Sequence, residues 1–263
     1  MPRELLATAT QAARAGAQTL RRLWNQAVEV EAKARFDFVT EADRASERAI
    51  LDLIRRRHPH HAILAEESAP SRRPPQDLSG VLWVVDPLDG TTNFIHRFPH
   101  LAVSVAALVD GRPTVGVIID VTRKEEFAAC AGAGVTLNGR PVRVSPQRDP
   151  AQALLLTGFP FRDKERLPTY LQLFQELFLK VSGIRRAGAA ALDLAYVAAG
   201  RAEGFWELGL KPWDLAAGIL MVQEAGGLVS DFHGGPHALW HGDVVAANPH
   251  LHPLIQTTCA RYF

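Results

Sequence analysis

Residues 83–94 read W-V-V-D-P-L-D-G-T-T-N-F, an apolar run that stops at acidic and turn-forming residues. The run ends at Asp86 and Asp89, and Pro87 and Gly90 favour a turn there. We predict a buried strand ending at Asp86, and strand ends are where ligands gather in α/β sheets. Two carboxylates on one tight turn can face the same point, an arrangement that a cation stabilises.

The residues that follow suit an anion held beside that cation. Gly90, Thr91 and Thr92 offer backbone N–H groups and two hydroxyls. The segment therefore predicts a combined metal and phosphate site. An alternative is that Asp86 and Asp89 only cap turns, as aspartate does at many junctions between a strand and a loop.

The composition excludes several classes of protein. A chain of 263 residues with 47% hydrophobic and 22% charged residues fits one large globular domain or two small ones. A net charge of +1 gives no broad electrostatic surface for nucleic acid or membrane. Two cysteines without a C-x-x-C pair suit a reducing cytosol and exclude a disulfide scaffold. Without a signal peptide or a membrane-length apolar run, we expect a cytoplasmic protein.

The spacing of apolar residues predicts two parts, an α+β part over residues 1–150 and an α/β part over residues 151–263. In the first part we predict helices over 3–28 and 40–57, strands at 62–65 and 81–86, antiparallel strands between 101 and 131, and loops at 33–37 and 68–80. In the second part we predict strands at 154–157, 204–207, 228–230 and 244–247, and helices over 168–181, 188–199 and 213–225.

Acidic residues recur at the predicted strand ends and helix starts, namely Asp43, Glu66, Glu67, Asp86, Asp89 and Asp214. Carboxylates, carbonyls and water are the ligands of Mg²⁺, whereas zinc favours His and Cys. Each position alone has a structural explanation: Asp214 as an N-cap, and Thr40 with Asp43 as a capping box. Their joint occurrence with D-P-L-D-G-T-T favours a metal site.

Five segments, in the same order along the chain, resemble landmarks of the inositol monophosphatase family. D-P-L-D-G-T-T-N-F-I-H, from Asp86, resembles the first family signature, and P-W-D-L-A-A-G-I-L-M-V-Q-E-A-G-G, from Pro212, resembles the second. The others are D-F-V-T-E-A-D, A-E-E-S and G-A-A-A-L-D-L-A-Y-V-A-A-G. The resemblance spans residues 33–249. It implies the layered α-β-α-β-α sandwich of inositol monophosphatases and fructose-1,6-bisphosphatases, with the site where the two parts meet.

The resemblance also implies a role for each site residue. The implied ligands of two or three Mg²⁺ ions are Glu66, Asp86, the Leu88 carbonyl, Asp89 and Asp214. The implied catalytic residues are Thr91 and Asp43, which orient and help deprotonate a water, and Glu67, which reaches a weaker metal through water. The implied substrate-binding residues are Gly90, Thr91, Thr92, Gly188, Ala189, Ala190, Glu207 and Asp214. Lys33 resembles a basic residue of a mobile metal-site loop, and several relatives carry Ser or Thr where this chain has Ala189.

The implied activity is Mg²⁺-dependent hydrolysis of myo-inositol monophosphate to inositol and phosphate, in a lithium-sensitive homodimer. Phosphate esters hydrolyse very slowly unaided, and two cations about 3.5–4 Å apart can bind both the nucleophile and the phosphoryl oxygens. Fructose 1,6-bisphosphate, NADP and other sugar or nucleotide phosphates are alternative substrates within the superfamily. Glu207 favours a polyol, because a carboxylate accepts hydrogen bonds from vicinal hydroxyls.

An alternative of another class is an RNA- or protein-binding regulatory factor. Arg55, Arg56 and Arg57, or Arg185 and Arg186, would supply its basic surface. The balanced net charge and the full set of acidic residues argue against nucleic acid as the main partner. The run at residues 55–57 also has a simpler explanation, because basic residues complement the dipole at a helix C-terminus.

Overall fold

The computed structural model describes residues 1–26, 29–34, 37–68, 78–160 and 163–263. The helices are α1 (Pro2–Leu23), α2 (Glu41–Arg57), α3 (Thr91–Ile95), α4 (Leu167–Phe178), α5 (Ala190–Ala198), α6 (Pro212–Glu224), α7 (Ala238–His241) and α8 (His252–Tyr262). The strands are β1 (Val30–Ala34), β2 (Asp37–Thr40), β3 (Ala62–Ala65), β4 (Val81–Asp89), β5 (Ala102–Val109), β6 (Arg112–Asp120), β7 (Glu125–Cys130), β8 (Gly134–Leu137), β9 (Arg140–Pro141), β10 (Leu154–Thr157), β11 (Gly183–Arg185), β12 (Gly204–Glu207), β13 (Leu228–Ser230) and β14 (Val244–Ala247).

Within these ranges the strands form two large mixed sheets and one hairpin. The seven-stranded sheet has the order β3-β4-β5-β6-β7-β8-β9, with β3 parallel to β4 and each later neighbour antiparallel. The five-stranded sheet has the order β11-β10-β12-β14-β13, with β10 parallel to both of its neighbours and β14 antiparallel to both of its own. The hairpin pairs β1 with β2. The antiparallel strands predicted between residues 101 and 131 are confirmed.

Helices cover both faces of each sheet, because successive strand residues point to opposite faces. In β4, Trp83 packs in the cluster formed with α1 and α2, whereas Val84 packs with α5 and α6. In β10, Leu156 packs with the α5 and α6 layer, whereas Leu155 packs with α4 and α8. The layers are therefore α1 with α2, the seven-stranded sheet, α5 with α6, the five-stranded sheet, and α4 with α8. The implied α-β-α-β-α sandwich is confirmed.

Strand β4 is longer than the sequence predicts. It continues through Pro87 to Asp89, and its pairing with β5 shifts between Asp86 and Asp89. Such an irregularity accommodates a proline, which cannot donate a ladder hydrogen bond. The prediction that the strand ends at Asp86 is therefore wrong by three residues, and both aspartates belong to the end of one strand.

Other boundaries also differ from prediction. Helix α1 ends at Leu23 rather than residue 28. Residues 33, 34 and 37, predicted as loop, belong to β1 and β2, where the two short strands supply each other's hydrogen bonds. Helices α3, α7 and α8 have no counterpart in the prediction. α8 has a proline in its first turn, where proline suits a helix. It buries Ile255 and Cys259 against the five-stranded sheet.

Two sequence predictions concern segments without a full description. Residues 69–77 of the predicted loop over 68–80, and the side chain of Lys33, lie outside the described part. The division near residue 150 falls between β9 and β10, the last strand of one sheet and the first of the other, and stays a prediction.

No helix in the described ranges is long and apolar enough to cross a bilayer.

Candidate active site

The end of β4 carries two buried aspartates. Asp86 is 1% exposed and Asp89 is 7% exposed. The Leu88 N–H donates a hydrogen bond to the Asp86 Oδ1 atom at 2.9 Å, which is the local side-chain bond by which aspartate stabilises turns. The Ser46 hydroxyl of α2 donates to the Pro87 carbonyl at 2.8 Å. Both bonds fix the backbone that separates the two carboxylates.

Gly90 joins this strand end to α3. Its φ is +95°, a conformation that residues with a Cβ rarely adopt, and it is the N-cap of α3. A Cβ there would lie 3.1 Å from the His100 carbonyl oxygen and 3.4 Å from the Gly188 carbonyl oxygen. Glycine is therefore required both by the backbone conformation and by the close approach of the Gly188 loop.

Asp89 also holds the first turn of α5, a helix of the layer between the sheets. Its Oδ1 atom accepts from the Ala190 N–H at 3.2 Å, and its Oδ2 atom accepts from Ala191 at 2.8 Å and Leu192 at 3.3 Å. The N-cap of α5 is Ala189, whose side chain cannot cap. Asp89 supplies the missing acceptor and a negative charge at the positive end of the helix dipole.

A cavity of about 100 Å³ opens between the end of β4 and the start of α5. It brings together residues from both halves of the chain, although they are distant in sequence. Its lining consists of Phe38, Glu66, Asp86, Leu88, Asp89, Gly90, Thr91, Thr92, Arg186, Gly188, Ala190, Glu207, Leu210 and Asp214. Four of these side chains, those of Glu66, Asp86, Asp89 and Asp214, are carboxylates of the predicted metal site.

The carboxylates repel one another in this cavity. Burial, and next the negative charge of Glu66, raise the pKa of Asp86 well above its ordinary value, with Asp89 and Asp214 adding to the shift. Burial, and next the charge of Asp214, raise the pKa of Asp89 likewise, although the N–H groups of α5 oppose this. Like charges gathered in a buried site are unfavourable unless a cation neutralises them.

The donor set fits Mg²⁺. Oxygen ligands are what this ion prefers, and it commonly keeps several waters while taking one or two carboxylates. In the described ranges no three His, Cys, Asp or Glu side chains already lie close enough to share one ion directly. Water or phosphate oxygens would therefore complete the coordination of each ion.

The Thr91 hydroxyl connects this cavity to Asp43. It donates a hydrogen bond to the Asp43 Oδ1 atom at 2.8 Å. The Oδ2 atom of Asp43 accepts from the Thr40 N–H at 2.8 Å and the Thr40 hydroxyl at 2.6 Å. Thr40 and Asp43 form the capping box of α2, so that prediction is confirmed. One buried carboxylate therefore caps a helix and holds the threonine hydroxyl at the cavity wall.

Glu207 ends β12 and faces the same cavity from the second sheet. Burial, and next the charge of Asp193, raise the pKa of Glu207 well above its ordinary value, while Arg186 partly offsets the shift. A Cβ on Gly158 would lie 2.0 Å from the carboxyl carbon and from one oxygen of Glu207. The absence of a side chain at residue 158 therefore provides the space that the Glu207 carboxylate occupies.

The model of the inositol monophosphatase family matches residues 1–262 of this chain. The chain belongs to the inositol monophosphatase family. Membership of this family supports a phosphatase, and the family is generally Mg²⁺-dependent. The carboxylate-lined cavity lies where the two family signatures meet, the first at the end of β4 and the second at the start of α6.

Relatives in this family carry two kinds of name. The chain is 51% identical over 225 residues to the Nus factor SuhB of Escherichia coli strain K12, covering 86% of this chain and 83% of the relative. It resembles the solved extragenic suppressor protein suhB of Bartonella henselae with a TM-score of 0.91 and 39% identity, covering 97% of this chain and 98% of that one. It resembles inositol monophosphatase from Anabaena with a TM-score of 0.86 and 39% identity, covering 98% and 96%.

Three of the residues assigned by sequence do not line the cavity. Asp43 reaches it through Thr91. Ala189 is buried beneath Gly90, and the Glu67 N–H donates to the Glu47 carboxylate at 2.9 Å. The remaining predicted residues line one cavity in this member of the family, while their roles stay predictions.

The prediction missed three lining residues: Phe38, Arg186 and Leu210. Phe38 lies in D-F-V-T-E-A-D, one of the segments that resemble the family, so a signal was present. For Arg186, the sequence suggests only a place in a basic surface, because it follows directly on Arg185. The position of Leu210 in the cavity wall could not be predicted from sequence, because an apolar residue can equally belong to the core or to a cavity wall.

Proposed function

We propose that this chain is a Mg²⁺-dependent phosphomonoesterase that hydrolyses myo-inositol monophosphate to inositol and phosphate. The single observation that carries the proposal is the cavity that Glu66, Asp86, Asp89 and Asp214 line together with the Gly90 turn. Burial and mutual repulsion raise the pKa values of Asp86 and Asp89, so a nearby cation would favour their charged forms, and the backbone and hydroxyl groups beside them suit a phosphate. Family membership supports the same reaction class.

In this proposal the ligands of two or three Mg²⁺ ions are Glu66, Asp86, the Leu88 carbonyl, Asp89 and Asp214. The Gly90, Thr91 and Thr92 turn would hold the phosphate oxygens, with Asp214 at the substrate side as well. When bound, the ions would supply an activated water and neutralise charge on the phosphoryl oxygens. Glu67 is proposed to act on a further ion through water.

Thr91 and Asp43 would orient the attacking water. Because the Thr91 hydroxyl already donates to Asp43, its lone pairs remain to accept a proton from a water in the cavity. Thr91 can then pass its own proton to Asp43 as it receives one. Threonine is too weak a base to act alone, so the buried carboxylate is the proposed proton acceptor.

Glu207, Gly188 and Ala190, which line the cavity, would contact the polyol, whereas the buried Ala189 would not. A carboxylate at the end of β12 can accept hydrogen bonds from neighbouring hydroxyls of an inositol ring, and its lining position supports this role. A polyol made of hydroxyls at fixed angles is a better match to such a group than a nucleobase is. The lithium sensitivity and homodimer implied by the resemblance stay predictions.

Replacing Gly158 by alanine should displace Glu207 and weaken polyol binding. The new Cβ would overlap the Glu207 carboxyl group, and a misplacement of about 1 Å can cost about 100-fold in rate. We expect a higher KM for myo-inositol 1-phosphate and little change in the Mg²⁺ concentration that gives half-maximal activity. Steady-state kinetics at several Mg²⁺ concentrations would measure both. An unchanged KM would contradict the role of Glu207.

The experiment that tests the proposal is a phosphate-release panel with and without Mg²⁺. Its substrates are myo-inositol 1-phosphate, fructose 1,6-bisphosphate, NADP and 2'-AMP. We expect the inositol ester to be cleaved with the highest kcat/KM, and excess EDTA to abolish cleavage until Mg²⁺ is restored. Faster cleavage of another ester would replace the substrate. Cleavage that persists in EDTA would contradict the metal site.

A second candidate function comes from the relatives called Nus factor SuhB. By that likeness, this chain would also act as an RNA- or protein-binding regulatory factor. The exposed Arg55, Arg56 and Arg57 at the end of α2 would offer a basic surface away from the cavity lining. Salt-dependent retention of the purified chain on RNA, lost on substituting these arginines while phosphatase activity remains, would support this function.

A further inference from the structure

The Asn93 side chain of α3 faces three backbone carbonyl groups. Its Nδ2 atom lies 2.7 Å from the His100 oxygen, 2.9 Å from the Ala187 oxygen and 3.3 Å from the Gly188 oxygen. An asparagine amide has two N–H donors on that nitrogen, so the longest contact shares one of them. The orientation is determined by this environment, because the amide oxygen would repel all three carbonyls.

The bonds to Ala187 and Gly188 join two segments of the cavity wall that are distant in sequence. These two residues lie 94 and 95 positions after Asn93. Asn93 follows directly on the Gly90, Thr91 and Thr92 turn. Gly188 also lines the cavity, and its carbonyl oxygen packs against that turn, because a Cβ on Gly90 would lie only 3.4 Å from it. Asn93 therefore fixes the backbone at Ala187 and Gly188 against the turn at residues 90–92.

Asp89 contacts the same part of the cavity wall through the backbone N–H groups of α5. It accepts from the N–H groups that open α5, whereas Asn93 donates to the carbonyls just before them. Helix α5 therefore keeps its anchor when Asn93 is replaced. The backbone at Ala187 and Gly188 loses its support, and so does the His100 carbonyl after α3.

We infer that Asn93 is a positioning residue that sets specificity for the leaving group. It holds the backbone at Ala187 and Gly188 so that this wall meets the hydroxyls of a polyol ester while the phosphate lies in the turn at residues 90–92. This inference rests on the proposed phosphatase function. Loss of the Asn93 hydrogen bonds would weaken binding of the leaving group more than binding of the phosphate, because other residues bind the phosphate.

The test compares two esters with Mg²⁺ present: myo-inositol 1-phosphate, and 4-nitrophenyl phosphate, whose leaving group has no polyol hydroxyls. Asn93→Asp is nearly isosteric but turns a second oxygen towards the three carbonyls. Asn93→Ala removes the donor without adding charge and decides the matter if Asn93→Asp does not fold. Asn138→Asp is the matched control, because it makes the same change in the turn between β8 and β9, at the far edge of the seven-stranded sheet.

We expect the Asn93 variants to lower the ratio of the kcat/KM values, inositol ester over nitrophenyl ester, by about tenfold or more, chiefly through the KM of the inositol ester. Asn138→Asp should leave the ratio unchanged. An equal loss on both esters, or no loss on either, would overturn the inference while the proposed function stands. A wild-type protein that cleaves neither ester would instead overturn the proposed function, and the inference with it.

Discussion

Asp214→Asn is expected to lower kcat for phosphate release by at least about 100-fold, the effect typical of losing one group that stabilises transition-state charge. A neutral amide is a poor ligand for Mg²⁺. The fold should survive, because an asparagine oxygen can still accept the Lys211 N–H bond that Asp214 accepts at 2.7 Å. Kinetics with saturating substrate and a Mg²⁺ titration measure the loss.

The same variant should behave differently without metal. The charge of Asp214 contributes to the raised pKa values of Asp86 and Asp89, so its removal relieves repulsion in the metal-free protein. In EDTA we expect a Tm equal to or above that of the wild type. The rise in Tm on adding Mg²⁺ should be smaller, since an ion stabilises the folded state only as far as it binds.

Asp243→Asn is the matched control for Asp214→Asn. Asp243 also accepts one backbone hydrogen bond, from Gly209 at 3.1 Å, and does not line the cavity. Its substitution should leave kcat and the Mg²⁺-induced rise in Tm unchanged. Wild-type activity in Asp214→Asn would contradict the metal assignment. A lower Tm in EDTA would show that Asp214 acts through folding rather than through a metal.

The parts of the site that are local in sequence could be predicted. The capping box of α2 needs only Thr40 and Asp43, three residues apart, and it forms as expected. Asp86 and Asp89 lie close together for the same reason, although they belong to the end of β4 and not to a turn after it. Sequence also placed Glu66 and Asp214 correctly in the cavity lining, because each follows a strand or opens a helix.

The parts that depend on tertiary packing could not be predicted. Asp89 as the acceptor for α5 requires residues about a hundred positions apart to meet across two layers. The space at Gly158 appears only when β12 brings Glu207 beside it. Helix α8 was missed because its apolar residues are few, and its packing against the five-stranded sheet stabilises it instead.

Thr91→Ala is expected to lower kcat by about 100- to 10,000-fold, the range over which a positioned proton-transfer group contributes. Alanine removes the hydroxyl that links the cavity to Asp43 and leaves the carboxylates in place. The KM and the Mg²⁺ requirement should change little, because alanine retains the backbone N–H at residue 91. Pre-steady-state phosphate release would show whether the chemical step itself has slowed.

Thr91→Ser separates this role from packing. Serine keeps the hydroxyl and loses a methyl group, so we expect it to retain most of the activity that alanine loses. Asp43→Asn should lower kcat as well and should also destabilise α2, because one amide oxygen cannot replace the two carboxylate oxygens that accept from Thr91 and Thr40. Activity that falls in Thr91→Ser as far as in Thr91→Ala would mean that the methyl group, not the hydroxyl, matters. Equal kcat in Thr91→Ala and wild type would place the proton acceptor elsewhere in the cavity.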